Sequence, residues 1–468
     1  MRKFRPYEPN QAYLLPPTLV EWLPRKHLAL FVSDVVDELN LDELYESYEN
    51  EDGRGQPPYH PARLVKVLVY GYCTGVLSSR KLERATETDV AFRVLAANSH
   101  PDHDTIAAFR QRHLKALAKL FLQILKLCQK AGLVKLGNVA VDGSKVLANA
   151  SKHKAMSYDR MEKAEKQLEE ELTTLLAQAQ ALDEAEDQAF GKGHRGDELP
   201  KELERREERL KKIRAAKAEL EAEAKAKATE EARVAQEKRA EREKKEQETG
   251  KKMGGRPPEA KDPEQAVPEA KAQRNFTDSE SRIMKDGATK GFVQAFNAQI
   301  AVDGHAQLIV ATGVTQETND KQQLVPMLLK TKENTGSLPV AGTADAGYFS
   351  AAAVTDERLA GVNLHVATER QKHGVSQSEA KGAAPADATA LEQMRHKLQT
   401  PEGRAIYKRR KAIVEPVFGQ IKAVRGFRRF SFRGLEKVTA EWDIVCMTHN
   451  LLKLFRSAWR PARQAVRV

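Results

Sequence analysis

Cysteine is scarce in this sequence, which has three cysteines among 468 residues. Cys73, Cys128 and Cys446 lie far apart and form no C-x-x-C pair, which excludes a disulfide framework and a cysteine-rich zinc site. We expect buried free thiols, the usual state in a reducing cytosol. No stretch of about 20 apolar residues is present to span a bilayer, and the N-terminus lacks the apolar run of a signal peptide. The sequence therefore predicts a soluble cytoplasmic protein.

The basic charge of the chain is unevenly distributed. Lysine and arginine outnumber aspartate and glutamate by 77 to 66, which gives a net charge of +11. Residues 404–433 alone contain ten basic residues and a single acid, Glu415. This local imbalance is typical of a phosphate-binding surface. A solvated basic helix has the same composition, so charge alone leaves both interpretations open.

The chain is longer than the roughly 250–300 residues that one hydrophobic core supports, so two or more domains are expected. Residues 1–135 have the pattern of a helical domain, which we expect to bind DNA. Pro61 suits the first turn of a helix, and apolar residues at helical spacing follow it as far as Tyr70. Further helices are predicted from Arg80 onward and over residues 101–128.

Residues 154–248 form a segment dominated by alanine, glutamate, lysine, arginine and leucine. Leucines at alternating steps of four and three give its first half a coiled-coil seam. A glycine-rich break at 191–196 precedes a second, poorer seam that includes Leu210 and Ile213. Two long helices around such a break predict an antiparallel helical hairpin. The residues that follow, 249–274, are rich in glycine, proline, lysine and glutamate and are predicted to be a mobile linker.

Strand signals lie on both sides of this insertion. One buried strand is predicted within residues 136–153, and the others lie within residues 275–457. The later elements are a hairpin of 292–302 and 308–314, a helix over 319–335, strands over 339–345 and 361–367, and helices from Glu402 onward. This order predicts an α/β domain with a mixed sheet, interrupted by the insertion and followed by a basic tail at 458–468.

Two aspartates are predicted at strand ends, Asp142 and Asp345, where side chains point into the space in which α/β ligand sites form. Carboxylates are ligands that Mg²⁺ prefers, and a pair of such ions can activate a nucleophile and stabilise a leaving oxygen. Glu415, the acid of the basic segment, completes a candidate set of three. Asp303, which precedes a glycine, is interpreted as a turn former only. Four other acids are free to compete as ligands: Asp102, Asp278, Glu280 and Asp320.

Glu415 lies on a predicted amphipathic helix. At about 100° per residue, Lys408, Lys411 and Lys422 fall within roughly 40° of it, and apolar residues group on the opposite face. An acid in this position can bind metal while the lysines bind DNA phosphate. Exposed ion pairs of little energetic value are the alternative interpretation. Pro416 disfavours α geometry at Glu415, so a kink or a helix start is expected there.

Several motifs, taken in order, resemble the bacterial insertion-sequence transposases of the DDE superfamily, in particular a subgroup with a helical N-terminal domain. The N-terminal motifs are Pro58-Tyr-His-Pro61, Tyr70-Gly-Tyr72, Ser78-Ser-Arg80 and Pro101-Asp-His103. The catalytic motifs are Val141-Asp-Gly-Ser144, Ala344-Asp-Ala-Gly-Tyr348 and Ile413-Val-Glu-Pro-Val-Phe418. The resemblance covers nearly the whole chain apart from the insertion and its linker, and its specificity lies in the order of the motifs.

The resemblance implies an RNase H-like catalytic domain, with Asp142 on the first strand, Asp345 after the fourth and Glu415 on a later helix. These three residues would be catalytic and would hold two Mg²⁺ ions, with Mn²⁺ as a substitute. The family also has a Tyr, Arg, Glu, Lys signature along one helix. The residues expected to contact DNA are Tyr407, Arg410 or Lys411, Lys422 and Arg425, since the spacing leaves Arg410 and Lys411 as alternatives.

The expected partners are the terminal inverted repeats of the element and its target DNA, bound by a homodimer. The expected reaction is cleavage at the element ends followed by strand transfer. Two alternatives remain open: a related metal-dependent nuclease that never joins DNA, and a domesticated DNA-binding protein that does not transpose. A coiled-coil structural protein would explain only residues 154–248.

Overall fold

The structure is a computed structural model that describes residues 18–49, 57–190, 201–249, 262–287, 289–369, 380 and 387–462. Within these ranges the chain before the first strand is helical, as predicted. Its helices are α1 (Leu28–Glu38), α2 (Asp42–Glu49), α3 (Pro61–Thr74), α4 (Ser79–Thr88), α5 (Val90–Leu95), α6 (His103–Arg112) and α7 (Leu114–Lys130). None of the described helices combines the length and apolarity needed to cross a membrane.

The ends of these helices follow their local sequence. Pro61 occupies the first turn of α3, and Gly75 ends that helix in the left-handed conformation, with φ of +83°. Asp102 caps α6 by accepting a hydrogen bond of 2.6 Å from the Thr105 amide. The single helix predicted over 101–128 is in fact two helices, because the backbone of His113 leaves helical geometry between α6 and α7.

The sheet is mixed, as predicted. The strands are β1 (Asn138–Leu147), β2 (Ala155–Ser157), β3 (Gln273–Asn275), β4 (Arg282–Lys285), β5 (Phe292–Asp303), β6 (Leu308–Thr315), β7 (Ala341–Ala344) and β8 (Asn363–Val366). The main sheet has the order β4-β5-β1-β7-β8, with β6 also paired to β5, whereas β2 and β3 form a separate ribbon. β1 is antiparallel to β5 and parallel to β7, and β7 is parallel to β8.

Seven helices described after β1 complete the fold. They are α8 (Tyr158–Phe190), α9 (Lys201–Thr249), α10 (Leu324–Thr335), α11 (Ala351–Val354), α12 (Ala390–Gln399), α13 (Pro401–Gly419) and α14 (Leu435–Arg456). α14 is largely buried and packs against both β6 and α7, so the N-terminal helices and the sheet share one continuous hydrophobic core. Cys73, Cys128 and Cys446 are buried free thiols, which confirms that prediction.

α8 and α9 pack against each other as antiparallel helices. The Tyr158 hydroxyl donates to Glu221 across the pair, and Arg214 Nε lies 3.1 Å from Glu165. The two helices bury a small core of their own, separate from the main core: Tyr158, Met161, Leu168, Leu172, Leu210, Ile213, Ala216 and Leu220. The predicted break at 191–196 lies outside the described residues.

Only the second half of the predicted linker can be compared with the structure. Residues 250–261 lie outside the described residues, but residues 262–274 run along the base of the helical pair. The Tyr158 amide donates to the Ala272 carbonyl at 2.8 Å, and the buried Arg274 guanidinium forms ion pairs with Glu219 and Glu223 of α9. This second half is therefore held by backbone pairing and ion pairs, which glycine and proline content alone does not reveal.

Candidate active site

Asp142 lies on β1, the strand between β5 and β7. The prediction that it ends a strand is wrong, because β1 continues to Leu147 by pairing with β5. The space beside Asp142 opens on the other side, where pairing between β1 and β7 stops at Ala140 and Thr343. Asp142 Oδ1 accepts a hydrogen bond of 2.9 Å from the amide of Gly143.

Asp345 directly follows β7 and caps a short 3-10 helix, Ala346–Tyr348. Its Oδ1 accepts a hydrogen bond of 2.9 Å from the Gly347 amide. Ala140 pairs with Thr343, and Asp142 and Asp345 each lie two residues beyond that pair. Neighbouring strands are about 4.8 Å apart, so the structure brings these two predicted site residues together where β7 ends.

The surroundings of Asp142 disfavour its charged form. Its side chain is 20% exposed. Burial raises its pKa to about 7, and the negative charges of Asp345 and Asp320 contribute to that rise. Arg410 acts in the opposite direction, since its NH1 lies 3.5 Å from Asp142 Oδ2. Arg410 and Lys145 carry two positive charges against the three carboxylates, and excess negative charge in a desolvated site favours a divalent cation.

Asp320 is the third acid of this region. It lies between β6 and α10, and its Oδ1 accepts hydrogen bonds from Asn297 Nδ2 at 2.6 Å and Gln299 Nε2 at 2.7 Å. Lys145 Nζ lies 4.0 Å from the same oxygen. From the sequence, Asp320 was only one of several competing acids. Its position shortly after a predicted strand is the signal that could have selected it.

Arg410 and Tyr407 project from α13 towards Asp142. The Arg410 guanidinium is buried and lies 5.9 Å from the centre of the Tyr407 ring. Burial raises the pKa of the Tyr407 hydroxyl, and the positive charge of Arg410 partly counteracts this. Lys411 is exposed. Of the two alternatives left by the sequence, Arg410 is therefore the one beside the acids, whereas Lys411 faces solvent.

Glu415 is exposed on α13, while its neighbours Val414 and Val417 are buried against the core. At about 100° per residue it is turned roughly 140° from Arg410 around the helix. Among the residues that the structure describes, no three carboxylates, imidazoles or thiols come close enough together to hold a metal ion. The structure thus pairs Asp142 with Asp345 and leaves Glu415 at the surface of the adjoining helix.

Pro416 neither starts α13 nor ends it, because the helix runs from Pro401 to Gly419 around it. Proline has no amide hydrogen, so the carbonyl of Ala412 loses its usual partner within the helix. Gln307 replaces that partner, since its Nε2 donates to the Ala412 carbonyl at 2.8 Å. This contact joins residues 105 positions apart in the chain.

Lys422 lies in a single π-helical turn, Gln420–Val424, that extends α13. Its Nζ donates to Ser144 Oγ at 2.6 Å and to the Lys145 carbonyl at 2.7 Å. Ser144 is two residues after Asp142 and so lies on the same face of β1. Burial lowers the pKa of the Lys422 ammonium group. Lys422 therefore ties the end of α13 to the strand that carries Asp142.

Arg425 requires a correction. It was predicted to contact DNA, but its side chain is only 4% exposed. Its NH1 donates to the Thr448 hydroxyl at 2.6 Å and to the Val445 carbonyl at 3.1 Å, both on α14. A guanidinium held inside the core in this way is not available to a phosphate group. The basic residue is thus structural, although it lies in the same cationic run as exposed residues.

The other competing acids have structural partners away from Asp142. Asp102 caps α6. Asp278 and Glu280 accept hydrogen bonds from the backbone amides of Gly434 and Leu435, where α14 begins. Asp303 is also structural: it lies at the predicted turn, and it has contacts beyond that turn. It is a fully buried acceptor for three backbone amides, those of Lys135, Leu136 and His305.

The exposed cations of the basic segment lie on α13 and on the chain that follows it. They are Lys408, Arg409, Lys411, Arg428, Arg429 and Arg433. Arg428 and Arg433 hydrogen bond to the carbonyls of Lys422 and Asn149, which leaves part of each guanidinium free to bind an anion. These residues, rather than the whole basic run, are the cations of the segment that are exposed to solvent.

Comparison with known families gave two matches. Residues 17–112 match a family described as a transposase domain (DUF772), and residues 369–455 match a family described as a transposase DDE domain. The second match contains Glu415, whereas Asp142 and Asp345 lie outside both. No curated protein and no solved structure matches the chain.

Both matching families are transposase domains, which indicates a transposase and implies DNA as its partner. Together the two matches support its assignment as an insertion-sequence DDE transposase.

Proposed function

We propose that this transposase cuts the ends of its element and joins them to target DNA, with Asp142, Asp345 and Glu415 as its catalytic carboxylates. The observation that carries the proposal is that Asp142 on β1 and Asp345 directly after β7 lie two residues beyond the same pair of neighbouring parallel strands. Hydrolysis with water and attack by the freed 3′ hydroxyl are both in-line displacements at phosphorus, so one site can serve both steps.

The strand order supports an RNase H-like catalytic domain. Leaving out the short strands β2, β3 and β4, the sheet reads β6-β5-β1-β7-β8. The first three strands of the chain in this sheet are antiparallel neighbours, and the last two join in parallel. In this count Asp142 lies on the first strand and Asp345 follows the fourth. The paired helices α8 and α9 are then an insertion between the first and second strands.

The residues at this site fit a divalent cation. The donors are carboxylate oxygens, the ligand type that Mg²⁺ prefers, and the three acids Asp142, Asp320 and Asp345 outnumber the two cations beside them, Arg410 and Lys145. Asp142 and Asp345 would hold two Mg²⁺ or Mn²⁺ ions, and Glu415 would have to turn towards them from the exposed side of α13 to complete the set. Bound ions of this kind activate the attacking oxygen and stabilise the leaving oxygen.

Side chains of α13 provide the proposed contacts to DNA. Tyr407 and Arg410 lie beside Asp142, and their donors would face a phosphate group placed between the acids and the helix. Lys411 is exposed one turn before Glu415 and would contact the DNA backbone. Lys422 holds β1 through Ser144, so its contribution to DNA binding would come from its half-exposed ammonium group.

A joining assay tests the function. Purified protein would be incubated in Mg²⁺ with DNA carrying the sequences that flank its reading frame and with a supercoiled target plasmid. Cleaved ends that become covalently linked to the plasmid are expected. Cleavage without joining would assign the chain to the metal-dependent nucleases instead. Specific binding without either reaction would assign it to the domesticated DNA-binding proteins.

Exposed and buried cations should behave differently in DNA binding. Lys411→Ala removes an exposed charge, so it should weaken binding to element-end and random DNA alike and lower the salt slope of log K by about 1. Arg425→Ala should leave that slope unchanged and lower the melting temperature, because Arg425 holds α14. Fluorescence anisotropy at several salt concentrations, with thermal unfolding of each variant, measures both. If the salt slope of log K falls in Arg425→Ala and does not fall in Lys411→Ala, this distinction is overturned.

A dimer is expected on DNA. Two element ends must be cut in concert, and each requires its own acidic site, so one protomer is not sufficient. Sedimentation of the protein bound to two element ends should give the mass of two protomers. A complex in which a single protomer holds both ends would show that the proposed assembly is wrong.

A further inference from the structure

We propose that Gln299 is a positioning residue of this site, whose buried amide sets the placement of Asp320 and of the turn of Asp345 relative to the strand that carries Asp142. The inference rests on the proposed catalytic function of Asp142 and Asp345. It adds a residue that lies two strands away from Asp345 and that carries no charge.

The Gln299 side chain is fully buried and has a polar partner at each end of its amide. Nε2 donates to Asp320 Oδ1 at 2.7 Å, and Oε1 accepts a hydrogen bond from the Tyr348 hydroxyl. Its backbone is also held, since the indole of Trp442 donates to its carbonyl at 3.0 Å. An ionised carboxylate only accepts hydrogen bonds, so Asp320 must face the NH₂ end of the Gln299 amide. The carbonyl end then faces the Tyr348 hydroxyl.

Tyr348 transmits this contact to Asp345. The two residues belong to one short turn, in which Asp345 caps the 3-10 helix Ala346–Tyr348. The Tyr348 ring is fully buried, and its hydroxyl bonds to Gln299 on β5, across the sheet from β7. A turn of three residues has few contacts of its own, so this anchor limits how far the Asp345 carboxylate can move.

Gly143 gives Gln299 its contact with the strand of Asp142. A Cβ atom on Gly143 would lie 2.9 Å from Cδ of Gln299 and 3.0 Å from Oδ1 of Asn297, too close for either. The Gln299 amide therefore occupies space that exists only because the residue after Asp142 has no side chain. One amide thus touches β1 beside Asp142, the segment of Asp320 and the turn of Asp345.

The position of the Gln299 amide has a direct consequence for metal binding. Ions held by two or three carboxylates require those carboxylates at fixed separations, and loss of an outer partner of a metal site costs about 10–100-fold in affinity. Disturbing the Gln299 amide should produce a loss of this size although no carboxylate is removed. A purely structural role would lower stability and leave metal affinity per folded molecule unchanged.

Two small changes test the inference in the full-length protein. Tyr348→Phe removes one hydroxyl, and Gly143→Ala fills the space that the Gln299 amide occupies. Gly137→Ala is the matched control, because Gly137 is exposed just before the same strand and has open space where a Cβ would lie. Mn²⁺ binding is measured by electron paramagnetic resonance without DNA, beside thermal unfolding and the rate of cleavage as Mn²⁺ is raised.

Tyr348→Phe and Gly143→Ala are expected to bind Mn²⁺ at least about 10-fold more weakly and to recover cleavage as Mn²⁺ is raised, while Gly137→Ala behaves as wild type. If both variants bind Mn²⁺ as tightly as wild type while Asp142→Asn no longer binds it, the role of Gln299 is overturned and the proposed function is intact. A wild-type protein that binds Mn²⁺ no better than Asp142→Asn would overturn both.

Discussion

Replacing Asp142 with asparagine should abolish cleavage and joining while making the metal-free protein more stable at pH 8. The amide removes a charge that would hold the metal ions, so the rate should fall by more than about 100-fold, beyond the loss that outer partners of metal sites cause. Asp345→Asn and Glu415→Gln should lose activity in the same way. Each variant should still bind element-end DNA, because the exposed cations are unchanged.

The gain in stability has a definite dependence on pH. Burial and the neighbouring acids raise the pKa of the Asp142 carboxyl from 3.8 to about 7. A raised folded-state pKa means that the folded protein holds the proton more tightly than the unfolded chain, so wild-type stability falls as pH rises from about 4 to about 7. Asparagine does not titrate, and its advantage should grow from none near pH 4 to about 1–3 kcal/mol at pH 8.

Arg410 limits this gain, because it loses its partner when Asp142 becomes neutral. Urea unfolding in the presence of a chelator, at pH 4.5 and pH 8, measures the difference in free energy between wild type and Asp142→Asn. An advantage that is as large at pH 4.5 as at pH 8 would show that the carboxylate charge is not its cause. Cleavage by Asp142→Asn at near the wild-type rate would refute the catalytic role.

Asp303→Asn should destabilise the fold by about 2–4 kcal/mol, although the sequence suggests only a turn residue. Oδ2 accepts hydrogen bonds from the amides of Lys135 at 2.6 Å and Leu136 at 2.8 Å, and Oδ1 accepts one of 2.8 Å from His305. An asparagine NH₂ group on either side would face a donor instead of accepting from it. Leu136 also has a φ of +54°, a conformation that these bonds help to hold.

The control for this change is Asp104→Asn. The Asp104 side chain is 90% exposed in the first turn of α6, so its loss should change stability by no more than about 0.5 kcal/mol. Denaturant unfolding compares the two variants, and cleavage is expressed per folded molecule at a temperature where Asp303→Asn remains folded. Wild-type stability in Asp303→Asn would remove the structural role, and loss of cleavage in the folded variant would assign Asp303 to the site.

Much of the α/β core could be predicted from local pattern. β-branched runs and a turn dipeptide locate the hairpin of β5 and β6, which pairs through the predicted turn at Asp303. Hydrophobic spacing locates α3 and the buried faces of α8 and α9. These features follow from neighbours in the chain. Core-facing side chains recur every second residue in a strand and every three to four residues in a helix, so the pattern is visible in a short segment.

Residues with the same local sequence pattern nevertheless have different environments in the folded chain. Arg410, Lys411 and Arg425 lie in one cationic run, yet one faces Asp142, one faces solvent and one is buried against α14. The sequence gives the positions of the charged residues, whereas the solvent exposure of each one depends on which elements pack on each side of the helix. The sequence also does not distinguish Asp320 from Asp278. Asp320 lies among the acids of the site, whereas Asp278 accepts a hydrogen bond at the start of α14.

By itself the sequence determined the helical N-terminal region, the longer strands of the main sheet, the helical insertion and two of the acids that lie together in the sheet. Only the tertiary structure decided that Asp142 lies within a strand rather than at its end, that Asp320 lies near Asp142 and Asp345, and that Gln299 joins Asp320 to the turn of Asp345. The physical reason is that carboxylate placement depends on strand register and on contacts between β1, β5 and the turn after β7. These elements are distant in the chain, so no local pattern encodes their separation.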